Sequence, residues 1–195
     1  GNPNCGKSAL FNAFTGIRQK TGNWPGVTVD RKQGFFELQN STVTVYDLPG
    51  IYSLDASSID EEITRDYLLS RDANLIINVV DAANLERNLY LTAQLLEMGV
   101  PIVLVLNMMD VARKRGIDID FKKLSQELGC PVVPVIATNG EGVDRLKQEI
   151  LAITCGEHSG GFRLAHDEIV EQAIADLMPR LEKCSIASKD NLHWL

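Results

Sequence analysis

The chain opens with Gly1-Asn2-Pro3-Asn4-Cys5-Gly6-Lys7-Ser8, an octapeptide of the form GxxxxGK[ST]. Glycines at both ends let the backbone wrap a phosphate and turn its N–H groups inward. Lys7 adds a positive charge at the β- and γ-phosphates, and the Ser8 hydroxyl can ligate Mg²⁺. Ala9-Leu10-Phe11-Asn12-Ala13-Phe14 then supply a helix whose N-terminus faces the anion. Such a loop normally follows a buried strand. Because Gly1 is the first residue, the expectation is that the fold's central first strand is missing from the chain.

Two further motifs follow in order. Asp47-Leu48-Pro49-Gly50 is a DxxG segment at the end of a strand-like run. Asp47 is placed to hold Mg²⁺ through water, and the Gly50 N–H to meet a γ-phosphate. Asn107-Met108-Met109-Asp110 fits NxxD, again at a strand end. The Asp110 carboxylate can accept two hydrogen bonds from the guanine N1–H and N2 amine, which adenine does not offer. Met108 stands where a lysine is usual. Three motifs in this order point to a GTP-binding, GTP-hydrolysing domain.

Between the first two motifs runs Thr21-Gly22-Asn23-Trp24-Pro25-Gly26-Val27-Thr28-Val29, rich enough in Gly and Pro to serve as a mobile switch loop. Gly26 and Val27 lead to Thr28, whose hydroxyl is the candidate to reach the metal. Its blander reading is a β-branched residue entering the next strand. Residues 51–63 are the expected second switch, and Ala137-Thr138-Asn139 the expected base-contacting loop, placed by position alone. Ile51 occupies the place of a water-positioning glutamine, and no neighbouring side chain replaces it. Slow intrinsic turnover follows, with the attacking water held largely by backbone groups; a fast rate would contradict this.

The rest of the chain reads as α/β: a P-loop NTPase of the Ras-like G-domain type, with a mostly parallel sheet flanked by helices. Short apolar runs at 34–38, 42–47, 75–80, 102–107 and 132–136 alternate with helix-like stretches at 6–15, 61–69, 85–98, 121–128 and 143–153. The small, polar segment 155–163 reads as a linker between a G domain (1–154) and part of a small helical domain (164–195). In the latter, Asp167 to Met178 has Ile169, Ala173, Ile174 and Leu177 on one side, and Pro179 is expected to end or kink that helix. Another helix is expected to start at Ser188.

Of 195 residues, 45% are hydrophobic and 23% charged, an ordinary globular composition with no apolar run near the ~18 residues that span a bilayer. The net charge of −7 argues against non-specific nucleic-acid binding. Cys5, Cys130, Cys155 and Cys184 show neither CxxC pairing nor metal spacing, and read as reduced thiols. Cys5, beside Lys7 and a helix N-terminus, could form a redox-sensitive thiolate; the simpler reading is a small tolerated residue. His158 and His166 lack partners for an iron site.

GNPNCGKSALFNAFTG, GNWPGVTVDRKQG, DLPGIYSL, NVVDAANLERNLYLTAQLLEMG and LNMMD together resemble the cytoplasmic G domain of the FeoB family of bacterial ferrous iron transport proteins. The resemblance runs from Gly1 to about Ile153, with the later helices resembling that family's helical spacer less specifically. It implies a domain on the cytoplasmic face of the inner membrane, tethered to a membrane-embedded Fe²⁺ transporter and coupling GTP binding or hydrolysis to uptake. Small accessory iron-transport proteins and a second copy are the further partners it suggests. It also implies K⁺-stimulated hydrolysis, with Asn4 and the carbonyls of Gly22 and Trp24 as ligands and Lys7, Thr28 and Asn4 as catalytic groups. Such a cation would offset charge developing on the phosphates. Asn4's blander reading is a residue that tolerates a strained backbone angle in a tight loop. Two alternatives stay open: an Era/MnmE-type RNA- or ribosome-associated GTPase, and a nucleotide-gated switch with negligible turnover.

Overall fold

The computed structural model describes residues 1–16, 19–39, 41–70, 72–154 and 167–184. The phosphate-loop motif runs straight into α1 (Lys7–Thr15). Three antiparallel strands follow, β1 (Gln19–Asn23), β2 (Asp30–Leu38) and β3 (Ser41–Asp47), in the order β1-β2-β3. After α2 (Ile59–Leu69), the strands β4 (Ile76–Asp81), β5 (Ile102–Asn107) and β6 (Val132–Pro134) form a parallel sheet in that order. Helices α3 (Leu85–Glu97), α4 (Met109–Lys114), α5 (Phe121–Leu128) and α6 (Val143–Thr154) connect and cover these strands, and α7 (Glu168–Cys184) comes last.

The expectation of a mostly parallel sheet holds for β4–β6 and needs amending for β2 and β3, which pair antiparallel through Leu38↔Ser41. Two residues separate their ends, with Gln39 at φ 52, and a parallel crossover needs a dozen or more. The burial patterns agree: β5 is buried at all six positions, as a two-sided strand must be, whereas β2 faces solvent more often.

One face of the hairpin sheet lies on α1, where Phe14 and Phe36 stack with centroids 5.0 Å apart. Gly34 permits this approach, since a Cβ there would lie 2.3 Å from Thr15 Cγ2. β3 and β4 do not pair with each other; between them lies an apolar cavity of about 540 Å³ walled by Phe14, Val43, Val45, Ile77, Val79 and Ile150.

Three expectations change. The stretch predicted as a wholly mobile loop contains β1, whose Thr21 and Gly22 pair with Lys32 and Arg31. Helix α4, directly after NMMD, has no counterpart in the sequence reading; its six residues are too few for a periodic signal. Finally, α7 does not end at Met178 but runs through Pro179 to Cys184. Proline deletes one backbone hydrogen bond and crowds the carbonyl of Ala175, a local penalty that the residues on either side outlast. On the apolar face of α7, Ile169 is 85% and Leu177 51% exposed. No helix among the described residues is long and apolar enough to cross a membrane. The linker, His158, His166, Cys155 and the Ser188 helix lie outside the described residues.

Candidate functional site

The GxxxxGK[ST] loop is held from three sides. Gly6 adopts φ 90 at the N-cap of α1, and Asn4 adopts φ 62, so the strained-backbone reading of Asn4 describes what it does here. From the second motif, the Ile51 N–H donates to the Gly1 carbonyl at 3.2 Å. Gly50 sits so close that a Cβ would lie 3.0 Å from Pro3 Cα and 2.6 Å from the Lys7 ammonium. From the third motif, Asn107 Nδ2 donates to the Cys5 carbonyl at 2.9 Å, while its Oδ1 accepts from the Ala137 N–H at 3.0 Å. One amide, 4% exposed, therefore joins three loops that are far apart in sequence.

These contacts leave a specific set of groups. The Lys7 ammonium donates to the Asn2 carbonyl at 2.8 Å, beside Gly50, where it can turn to an anion in the loop. Ser8 Oγ donates to Asp47 Oδ2 at 3.0 Å across 39 residues. A hydroxyl and a carboxylate this close suit Mg²⁺, which keeps most of its water: Ser8 would bind it directly and Asp47 through a water. No cluster of three acidic, His or Cys groups occurs among the described residues, as that sparse mode of binding requires no such cluster.

At the other end, Met108 adopts φ 61 and caps α4. That turn places Asp110 in the first turn of α4, partly buried and without a partner among the described residues. The Ala137–Gly142 loop closes through Ile136 N–H to the Glu141 carbonyl at 2.9 Å and Asn139 Oδ1 accepting from the Glu141 N–H at 2.9 Å. Ala137 is buried against Asn107, and Thr138 and Asn139 are exposed at the rim.

The switch-loop residues are not gathered with these. The β1–β2 ladder extends to a Trp24 N–H to Val29 carbonyl bond at 2.9 Å, and the Trp24 carbonyl accepts the Val27 N–H at 3.2 Å. Pro25, Gly26, Val27 and Thr28 thus form the tip of a hairpin, with Thr28 exposed. Lys32 is the residue paired with Asp47. Four residues at ~3.3 Å each separate Thr28 from that level, on the order of 13 Å and far beyond a shared metal ion. Of the expected potassium ligands, Gly22 lies in the ladder opposite Arg31, and the Trp24 carbonyl is taken by the Val27 N–H.

Two features of the second switch complete the site. Ile51 is 2% exposed, its side chain in the core, so it cannot orient water. Glu61, 7% exposed, clasps the second switch: its carboxylate accepts from Ser57 Oγ at 2.6 Å, the Ser57 N–H at 3.1 Å and Ser53 Oγ at 3.3 Å. The signal was present in Ser58-Ile-Asp-Glu61, a capping-box pattern, and Ser58 Oγ does accept from the Glu61 N–H at 3.3 Å. The bonds from Ser57 outweigh desolvation and hold the Glu61 carboxyl below its ordinary 4.5. A depressed carboxylate adds stability above its unfolded pKa and loses it as pH falls through the folded value. Thermal melts of Glu61→Gln should therefore flatten the decline in Tm that the parent shows from about pH 5 downward, where carboxylates protonate. Parallel declines in the two proteins would remove Glu61 from this role. Cys5 is buried and packed in the core, the place of a small tolerated residue.

The family described as "Ferrous iron transport protein B" matches residues 1–150. The Fe(2+) transporter FeoB of Salmonella typhimurium is 56% identical over 170 residues, covering 85% of this chain and 22% of that protein. Its counterpart in Escherichia coli K12 is 56% identical over 184 residues, 92% of this chain and 24% of that one. The chain therefore spans about a quarter of the length of these relatives. Among solved structures, the cytosolic domain of L. pneumophila FeoB superposes with TM-score 0.91 at 44% identity, covering 100% of this chain and 76% of that one. The T. maritima FeoB cytosolic domain in a GDP form gives 0.92 at 41%, covering 99% and 76%, and its GMPPNP form 0.91 at 41%, covering 99% and 75%.

Proposed function

Because this chain belongs to the ferrous iron transport protein B family, we propose that it binds GTP and hydrolyses it with Mg²⁺ and K⁺, as the regulatory G domain of an Fe²⁺ transporter at the cytoplasmic face of the membrane. The observation that carries this reading is the meeting of Ser8 and Asp47 at 3.0 Å beside Lys7, with Asp110 in the first turn of α4 at the far end of the same loop assembly. Residues 1–154 are the catalytic unit, and residues 164–195 begin a helical domain that leads toward the transporter.

In this reading the N–H groups of residues 1–8 wrap the phosphates and Lys7 neutralises them. Ser8 and Asp47 hold Mg²⁺, which withdraws charge from the phosphoryl oxygens when bound. Asp110 reads the guanine edge, Met108 lies against the base, and Ala137–Asn139 close over it. Thr28, carried on Gly26 and Val27, joins the metal once the hairpin tip folds in. Asn4 and the carbonyls of Gly22 and Trp24 then form the K⁺ site.

Asp110→Ala tests the base assignment. Its carboxylate has no partner among the described residues, so Tm should hold while GDP affinity falls roughly 30- to 1,000-fold, the weight of about 2–4 kcal/mol of charge-assisted bonding. Equal GDP affinity in calorimetry would reject that role. Single-turnover hydrolysis of GTP in K⁺ against Na⁺ tests the reaction. The buried Ile51 side chain favours slow turnover in Na⁺, and no cleavage in either salt would leave the nucleotide-gated switch as the better reading.

A further inference from the structure

The face of β1–β3 opposite α1 carries a cluster that no motif announces. The Arg31 guanidinium carbon lies 4.5 Å from the Tyr46 ring centroid and 5.1 Å from that of Trp24. Tyr67 of α2 meets both rings edge-on, at 5.2 Å from Trp24 and 5.8 Å from Tyr46. Arg31 and Tyr46 can meet because Gln33, two residues along, is paired with Tyr46, and strand residues two apart share a face. The four residues come from the switch loop, β2, the position before Asp47, and the helix after the second switch. Trp24 is 5% exposed in this seat. Among the described residues neither its indole N–H nor the Arg31 Nε–H has an acceptor, although both are buried, so stacking and apolar contact hold the seat.

We infer that Arg31 is a positioning residue for the switch loop. Held on Tyr46 and seating Trp24 against Tyr67, it keeps the loop on the hairpin, with Thr28 away from Ser8 and Asp47, and it must release Trp24 before the loop closes. The inference rests on the nucleotide-binding reading above. The backbone supports it. With its side chain seated, Trp24 exchanges bonds with Val27 and Val29, which fixes the tip at Pro25–Thr28. Moving Thr28 ~13 Å toward Asp47 must break that pair and lift the indole. Two unpaired buried donors make the seated state easier to leave, since each gains an acceptor in water. Tyr67 couples this event to α2, so the two switches move together.

Trp24 reports on its own position. In the full chain carrying Trp194→Phe, which silences the second tryptophan, indole emission and acrylamide quenching are read with Mg²⁺, K⁺ and either GDP or GMPPNP. GMPPNP should at least double the quenching constant, with little change in GDP. Arg31→Ala should leave Trp24 open to quencher in every state and tighten GMPPNP about three- to thirty-fold relative to GDP, the weight of the lost cation–π seat. Arg31→Lys should restore part of the difference. Tyr46→Leu, which removes the seat and keeps Arg31, should shift the same ratio and guards against a folding failure at Arg31. Both nucleotides binding with Trp24 still shielded, or an unchanged GMPPNP/GDP ratio in both variants, would overturn the positioning role alone. Absence of binding by either nucleotide would overturn it together with the reading beneath it.

Discussion

Gly6→Ala should lose nucleotide binding altogether and about 3–8 kcal/mol of stability, much of what a domain of this size has. Three costs add. A non-glycine residue at φ 90 is strained by about 1–2 kcal/mol. The new Cβ would stand 2.2 Å from Asn107 Nδ2 and so displace it. Displacing Asn107 breaks the bonds to Cys5 and Ala137 at 2.9 and 3.0 Å, and buried groups left unpaired cost about 1–3 kcal/mol each. Gly16→Ala is the control, because Gly16 also has positive φ, 54, but nothing lies within 4 Å of its Cβ. It should cost only the backbone strain and leave binding intact. Urea melts and GDP calorimetry read both. A Gly6→Ala protein as stable as Gly16→Ala would show that the Asn107 contact carries no weight.

Lys7→Ala should act almost wholly on binding. Its ammonium makes one hydrogen bond, to the Asn2 carbonyl at 2.8 Å, and is only partly buried, so stability should change by no more than about 1 kcal/mol. A nucleotide, in contrast, loses the one cation inside its phosphate loop. Truncating one partner of a desolvated charge pair costs about 2–5 kcal/mol, so affinity should fall roughly 30- to 5,000-fold. The loss should be larger for GMPPNP than for GDP, because Lys7 lies next to Gly50, where a third phosphate would arrive. Titration of both nucleotides checks this. A loss confined within threefold, or equal for the two, would move the phosphate site away from Lys7.

Much of this was readable because the signals are local. The buried run of β5 and the octapeptide before α1 each declare themselves within ten residues, and the motif spacing supplied Ser8, Asp47 and Asp110. The features that escaped depend on distance. Asn107 was recognised only as part of a base-reading motif, whereas its two partners lie 102 and 30 residues away. Arg31 looks like an ordinary polar residue of β2, and only the register against β1 and β3 places it against Trp24 and Tyr46. The switch loop read as mobile from its Gly and Pro content, yet pairing with Arg31 and Lys32 drew its first half into a strand. Pro179 shows the converse: a strong local breaker, expected to end or kink the helix, does not end it.

The Asn107 clamp also bears on how a nucleotide is taken apart thermodynamically. One carboxamide orders the loop that would meet the phosphates and the loop that would meet the base, so neither can be organised alone. Guanosine and pyrophosphate, offered as separate fragments, should then behave as heterotropic activators of each other: the first to bind bears the cost of ordering the clamp, and the second finds it set. By reciprocity, the factor by which pyrophosphate tightens guanosine equals the factor by which guanosine tightens pyrophosphate, a single coupling constant that belongs to Asn107.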